Sequence, residues 1–249
     1  MDIKLKASLS NADSSSFTKT RCNQISNVYD LTCKYAGRVV TYRKIQELAA
    51  ENKTLGNSEF SKTASAIRTI FPIVKKLGLI IDYDKFPEFK SEDFFSNKGK
   101  AFVLTHKSLM LAQEIENESL ISKCQEIKAA LLRDGICSML SDKGNNSHNI
   151  WIALKTLKNH GEIVWKEFLY IVFLYDQGKN FEEIKEILTN NRANRVEYKY
   201  VSEDNTAVNQ TAYSYLKALL TEADIVFDYN KSTSKITKQG KELLNLLTI

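Results

Sequence analysis

The sequence predicts a mostly α chain with small β-hairpins, an α+β fold in which one structural unit occurs twice. The 249 residues are 43% hydrophobic, which is enough for real cores and leaves room for two domains of about 100 residues. Only two prolines and nine glycines interrupt the chain, so long helices are favoured. A short pattern also returns after 146 positions, from Asp82 to Asp228, and such an internal repeat largely decides the fold.

The repeated pattern is a block of six residues. Residues 80–85 read Ile-Ile-Asp-Tyr-Asp-Lys, and residues 226–231 read Val-Phe-Asp-Tyr-Asn-Lys. The flanking residues correspond in pairs, Thr63-Ala64 with Thr211-Ala212 and Leu104-Thr105 with Ile236-Thr237. We interpret each copy as a helix, a strand, a turn of variable length, a second strand and a closing helix.

The first half opens with a helix and a short strand. Apolar residues at helical spacing begin at Ile25, and Gly37 ends that helix. Val39-Val40 is short and β-branched, as expected for a strand, and Thr41 stands where the N-cap of a second helix belongs.

A third helix and a hairpin are expected to follow. Asn57 or Ser58 caps this helix, whose apolar stripe runs from Phe60 to Val74, and Pro72 should kink or end it. The hairpin is then predicted as a strand over 79–83, a long wing over 85–100 and a returning strand over 101–105.

The middle of the chain predicts a connector of two helices broken near Asn117. Gly135 and the polar stretch Ser141–Ser147 should end it. The second half then repeats the opening of the first, with Gly161, a strand at Ile163-Val164 and a helix from Trp165. An inserted helix around Phe181–Leu188 should cover the apolar helix Phe168–Leu174.

These elements define four segments. They are a flexible basic arm (1–24), a first domain (25–116), a helical connector and linker (117–147), and a second domain with an inserted helix (148–249). This order of elements resembles the winged-helix (winged helix-turn-helix) superfamily, given as two tandem winged-helix domains joined by a helical connector. Tandem pairs of this kind occur in plasmid replication initiators, in transcriptional regulators and in the DNA-recognition parts of restriction or defence systems.

The resemblance implies that the third helix of the first domain reads the major groove of DNA. Polar and basic side chains opposite its apolar stripe, at the start of the preceding helix and on the predicted wing are the candidate contacts. The candidates are Arg43, Lys44, Lys62, Ser65, Arg68, Thr69, Lys76, Lys85, Lys90, Lys98 and Lys100.

The charge is concentrated in the first half. Residues 1–120 carry 18 Lys and Arg against 14 Asp and Glu, a balance of +4, and the remainder of the total of +5 leaves +1 for residues 121–249. A basic surface favours phosphate-bearing partners. We therefore expect a non-enzymatic, sequence-specific double-stranded DNA-binding protein, with the first domain as the principal reader.

Two other functions stay open on the sequence alone. The near-neutral second domain could bind a protein partner or form a homodimer, as in a winged-helix protein-interaction scaffold subunit. The second of these functions is a Mg²⁺-dependent nuclease, because Glu197 and Lys199 form a Glu-x-Lys pattern downstream of Asp176.

Several site classes are not predicted. The glycine clusters of nucleotide-binding loops and the motifs of serine hydrolases and zinc proteases do not occur. The four cysteines lack zinc-ligand spacing, and the three histidines lie apart, where surface or cap roles are expected. We expect no cofactor, no metal and no catalytic residues. Since the longest apolar run covers only Phe168 to Tyr175, we also expect a cytoplasmic protein without a membrane segment.

Overall fold

The computed structural model describes residues 2–4, 17–56, 65–141, 147–201 and 211–247, with the backbone alone for residues 2–4, 65–66, 68–69, 199–201 and 211–212. In chain order the elements are β1 (Asp2–Lys4), α1 (Lys19–Lys34), β2 (Val39–Thr41), α2 (Tyr42–Glu51), α3 (Ser65–Lys76), β3 (Glu88–Lys90), α4 (Asn97–Glu114), α5 (Glu118–Ser141), α6 (His148–His160), β4 (Glu162–Val164), α7 (Trp165–Asp176), α8 (Phe181–Ala193), β5 (Lys199–Val201), α9 (Thr211–Glu222), β6 (Val226–Asn230), β7 (Thr233–Ile236) and α10 (Lys238–Leu246). The described chain is mostly helical with small antiparallel sheets, as predicted. It divides into two compact units, Ser15–Asn145 and Asn146–Ile249 with Met1–Ser14.

The first helix begins earlier than predicted. It starts at Lys19 rather than Ile25, because the Thr18 hydroxyl caps its first turn and accepts from the backbone N–H of Arg21. Phe17 is buried. The end of the predicted arm (1–24) therefore belongs to the first unit, and the start of the arm, at β1, pairs in parallel with β5.

Two helices follow β2. Thr41 caps α2 as predicted, with its hydroxyl accepting from the N–H of Lys44 at 3.1 Å. The third helix, α3, does not end at Pro72 but continues to Lys76. The described apolar side chains of α3, including Phe71 and Val74, are buried, and α2 packs against this helix.

The hairpin of the first unit is shorter than predicted. Residues 79–83 form no continuous strand but make one antiparallel bridge between Ile80 and Phe95. The returning chain first pairs through β3 with β2, where Val39 lies opposite Lys90. The predicted wing over 85–100 is therefore wrong, and the connecting turn spans about residues 82–87.

The predicted returning strand over 101–105 is also wrong, because these residues lie inside α4. The cap is Ser96, whose hydroxyl accepts from the N–H of Gly99 at 3.0 Å. Buried Phe102, Val103 and His106 follow with the period of a helix. Thr105 is the ninth residue of α4 and stands in its third turn.

The two helices predicted for the connector exist as α4 and α5, with a break at residues 115–117. Gly135 does not end the second one but lies within it. A methyl group at Gly135 would stand 2.8 Å from the carbonyl oxygen of Leu77, so α5 packs closely against the end of α3. The connector through Asn145 is thus part of the first unit.

The second unit follows the prediction more closely. Gly161 ends α6 with a positive φ of 72°, and β4 and α7 follow as expected. The inserted helix α8 packs against α7, with the Phe181 ring 5.5 Å from that of Tyr175. Beside the parallel pair β1-β5, three strands of this unit form an antiparallel sheet in the order β4-β7-β6.

The two units share the detailed geometry of the repeated block. After α3 the chain turns at Gly78 with φ 69°, and after α9 it turns at Asp224 with φ 52°. Each helix-ending turn is closed by the same pair of hydrogen bonds, from Gly78 and Leu79 in one unit and from Asp224 and Ile225 in the other. The offset of 146 residues is thus retained in three dimensions.

The closing helices begin alike in the two units. The Thr237 hydroxyl accepts from the N–H of Gly240 at 2.8 Å, as Ser96 does from Gly99. A Cβ atom on Gly99 would overlap the carbonyl oxygen of Leu79, and one on Gly240 would overlap that of Ile225. Each hairpin therefore lies against its closing helix at a distance that only glycine permits.

Some predictions fall outside the described residues. They are the cap at Asn57 or Ser58, the residues Phe60, Lys62 and Thr63-Ala64, the greater part of the arm (5–16) and the core of the boundary stretch (142–146).

One histidine departs from the expected surface or cap role. His106 is 2% exposed, and its Nε2–H donates to the amide oxygen of Asn23 over 2.7 Å. Burial, together with the positive charges of Lys128 and Lys19, lowers the pKa of His106 to about 4. The imidazole is therefore neutral in the folded protein at physiological pH.

This histidine should make stability depend on pH. The unfolded chain takes up a proton near pH 6.5, whereas the folded protein resists protonation down to about pH 4. Its contribution is complete above pH 6.5 and is lost as the pH falls towards 4, at up to about 1.4 kcal/mol per pH unit. Urea denaturation followed by circular dichroism should show a smaller loss in His106→Gln. An equal dependence of the unfolding free energy on pH in the wild type and in His106→Gln would contradict the assignment.

The glycine contacts predict a reversal of the usual effect of alanine in a helix. Replacing an interior helix glycine by alanine normally stabilises a protein by about 1 kcal/mol. Gly99→Ala and Gly240→Ala should instead each destabilise by about 1–3 kcal/mol, because the methyl group meets a backbone carbonyl. Urea titrations of both variants measure this, with Ser108→Ala on the exposed side of α4 as the control. A gain in stability at either glycine would show that the close approach is absent.

Candidate nucleic-acid interface

The start of α2 and the turn after Ile81 form one surface in the first unit. The rings of Tyr42 and Tyr83 stack with their centres 3.8 Å apart and 1° between their planes. This contact brings Arg43 and Lys44, in the first turn of α2, close to the turn that carries Lys85. We call these five residues, together with Lys75, the tyrosine-stack surface.

Acidic side chains accompany every cation of this surface. Lys75 Nζ lies 3.6 Å from an oxygen of Asp82 and makes a hydrogen bond with Asp84, while Lys85 Nζ lies 3.5 Å from the other oxygen of Asp82. Glu47 contacts Arg43 Nε at 3.2 Å and Lys44 Nζ at 3.5 Å. Four basic residues thus face three carboxylates, which leaves a local balance of 4 − 3 = +1.

The pairing is strongest at Lys75, which is only 20% exposed. Burial lowers its pKa, but the hydrogen bond to Asp84 and the nearby negative charges outweigh burial and hold the pKa above its usual value. Burial raises the pKa of Asp82, and the N–H of Asp84 with the lysines more than offsets it, so the pKa lies below its usual range. Both groups stay charged at neutral pH, and Lys75 therefore has a structural role.

The remaining lysines predicted for the wing do not join this surface. Lys90 lies in β3 opposite Val39, at the end of the ladder away from the start of α2. Lys98 is in the first turn of α4, where it forms an ion pair with Asp134 of α5. Lys100 lies two residues further along α4. The structure therefore separates Lys90, Lys98 and Lys100 from Lys85, contrary to the predicted wing.

The helix predicted to read DNA is described in part. Ser65, Arg68 and Thr69 lie on α3, where the structure gives their backbone but not their side chains. Lys76 ends α3 with a half-buried side chain, and Lys62 lies outside the described residues. Of the predicted contacts, Arg43, Lys44 and Lys85 are thus brought together, and the α3 residues share one helix.

The second unit uses the corresponding aspartate in the same way. Asp228 accepts from Lys217 of α9 at 3.0 Å, just as Asp82 pairs with Lys75 of α3. Asp228 also accepts from the Ser234 hydroxyl at 3.0 Å, and this hydroxyl accepts from the indole N–H of Trp165 at 2.8 Å. This network could not be predicted from the sequence, because its members lie on four separate elements.

Arg192, near the end of α8, forms an ion pair within the second unit. Its guanidinium donates from Nε and Nη2 to Glu167 at 3.1 Å and 2.7 Å, and Glu167 is 2% exposed. Removing Arg192 would leave the buried Glu167 carboxylate without its counter-charge. Arg192 therefore anchors α8 to α7 through this ion pair, although its own side chain is 47% exposed.

The residues of the nuclease pattern are not assembled into a metal site. Asp176 accepts a hydrogen bond from His148 at 2.8 Å, and Glu197 has an exposed side chain ahead of β5. Across the part of the chain that the structure describes, no group of three or more His, Cys, Asp or Glu could hold a metal ion. No helix within the described ranges is long and apolar enough to span a bilayer.

Comparisons with protein-family models, with curated proteins and with solved structures found no match.

Proposed function

We propose that the protein is a non-enzymatic, sequence-specific double-stranded DNA-binding protein composed of two tandem winged-helix domains, with the first as the principal reader. The observation that carries the proposal is the geometry common to both units. In each, a helix ends in a left-handed residue, a hairpin follows, and a closing helix begins at a Ser or Thr cap with glycine three residues later. The sheet order β4-β7-β6 is the first-third-second order of a winged helix.

The placement of the cations supports the first unit as the reader. In a winged helix the third helix enters the major groove while the turn of the hairpin lies beside it. Arg43 and Lys44 stand at a helix N-terminus, where backbone N–H groups and the helix dipole also favour phosphate. Arg43 and Lys44 lie on one side of the Tyr42–Tyr83 stack and Lys85 on the other. Lys85 shares Asp82 with Lys75, which stands near the end of α3.

A second candidate function rests on the ion pairs of the same surface. Because Glu47, Asp82 and Asp84 offset most of its positive charge, the surface could equally serve a protein partner in an interaction scaffold. The two functions differ in their response to salt, since DNA binding releases counterions and weakens steeply as salt rises.

The decisive experiment is a salt titration of binding to a labelled DNA duplex of mixed sequence, followed by fluorescence anisotropy. The double variant Lys44→Gln/Lys85→Gln should bind more weakly and reduce the slope of log K against log salt by about 2, since each phosphate contact contributes about 0.9. Glu47→Gln should bind more tightly, because it removes a carboxylate from the same surface. Arg68→Ala should cost about 1–3 kcal/mol if its side chain reads a base edge.

Lys123→Gln is the matched control, because Lys123 is an exposed lysine of the same unit on α5, outside the tyrosine-stack surface. It should keep the wild-type affinity and slope. Binding that is absent at low salt, or that falls equally in Lys123→Gln, would reject the DNA assignment for this surface and favour the scaffold.

A further inference from the structure

The outer face of α4 carries an apolar stripe that the core does not use. Leu104, Leu111 and Ile115 are 55%, 61% and 67% exposed. Their spacing of seven and four residues places them on one line along the helix. The buried residues Phe102 and Leu109 lie on the opposite side. Three large aliphatic side chains on one solvent-facing line exceed the scattered exposure that is normal for a protein surface.

The neighbouring helix extends this apolar surface. The ion pair between Lys98 and Asp134 joins the start of α4 to the later part of α5, so the two helices run antiparallel. In such a hairpin, Leu111 is level with Leu120 and Leu104 is level with Ile127. Leu120 and Ile127 are also exposed, at 38% and 49%. The exposed apolar surface therefore contains two pairs of side chains. Leu111 and Leu120 lie near the turn of the hairpin, and Leu104 and Ile127 lie near its open end.

Charge is distributed unequally along this hairpin. Near its turn stand three exposed carboxylates, Glu114, Glu116 and Glu118. The opposite end is basic, with Lys98, Lys100 and Arg133 against Asp134, a balance of 3 − 1 = +2. A hairpin with one acidic and one basic end is complementary to a second copy of itself turned through 180°.

We propose that a second copy of this chain docks antiparallel on the α4–α5 hairpin and forms a two-fold symmetric dimer. The Leu104–Ile127 pair of each copy then packs on the Leu111–Leu120 pair of the other copy, and the acidic turn of each copy contacts the basic end of the other. A closed two-fold arrangement of this kind uses the same patch on both copies.

The size of the patch fits a reversible dimer. The five aliphatic side chains expose on the order of 450 Å² per copy, about half of the roughly 800 Å² that each partner contributes to a standard interface. The charged ends supply the remaining contact, so association in the micromolar range is expected. The dimer does not depend on the proposed DNA binding, and it would place two reading units in one particle.

The test is sedimentation equilibrium of the full chain over a range of concentrations. The wild type should shift from monomer to dimer mass, and Leu111→Glu should weaken the dimer at least about tenfold, since it buries a charge in the apolar stripe. Circular dichroism checks that Leu111→Glu stays folded, as expected for a good helix former at an exposed position. Leu246→Glu is the control, because Leu246 is an 83% exposed leucine outside the hairpin, and it should dimerise like the wild type.

A charge exchange tests the antiparallel arrangement separately. Lys100→Glu should weaken the dimer, and adding Glu114→Lys should restore it, because the exchanged charges again face each other across the interface. Both changes also suit the helix dipole of α4, so folding is not compromised. A wild type that stays monomeric up to about 100 μM, equal effects of Leu111→Glu and Leu246→Glu, species larger than a dimer, or no rescue would each overturn the proposal.

Discussion

The contact on which both units depend is the approach of a closing-helix glycine to a backbone carbonyl. Gly99 lies against Leu79, and Gly240 lies against Ile225, at a distance that excludes any side chain. The Ser96 and Thr237 hydroxyls fix the same turn by accepting from these glycines. Together these contacts set the distance between the closing helix and the hairpin, and the hairpin in turn positions the repeated aspartate beside the preceding helix.

The electrostatics of the first unit follow from this placement. Asp82 stands where the hairpin begins its turn, so it attracts Lys75 from α3 and Lys85 from the turn itself. Glu47 similarly holds the two cations at the start of α2. The tyrosine-stack surface, at +1, thus holds only one of the four excess positive charges of residues 1–120. The DNA binding proposed for this unit must therefore also draw on α3.

Local signals in the sequence predicted much of the fold. Thr41 and Gly161 marked a helix start and a helix end correctly, and the inserted helix around Phe181 was placed where it packs. The errors in the first hairpin and its closing helix came from one alignment. Leu104-Thr105 was matched with Ile236-Thr237, although the sequence also offers Ser96-Asn97-Lys98-Gly99-Lys100 beside Thr237-Lys238-Gln239-Gly240-Lys241. That Ser/Thr-x-x-Gly-Lys match would have moved the closing helix to its observed start.

Other features could not be predicted, because they depend on contacts between distant residues. The ion pair of Lys98, a predicted DNA contact, with Asp134 joins residues on two helices. The neutral state of His106 also depends on residues of other helices. Asn23 of α1 accepts its hydrogen bond, and the charge of Lys128 on α5 lowers its pKa. A sequence pattern gives the face of a helix, whereas only the packed chain gives the partners of that face.

On the proposed function, the repeated unit in the first half meets DNA through α2, α3 and the hairpin turn. The most direct measurement is the change in amide chemical shifts of the ¹⁵N-labelled protein when a DNA duplex of mixed sequence is added. The largest changes should fall on residues 42–44, 65–76 and 82–87, with small changes along the outer face of α4. Changes concentrated on α4 and α5, or confined to the second unit, would contradict the account.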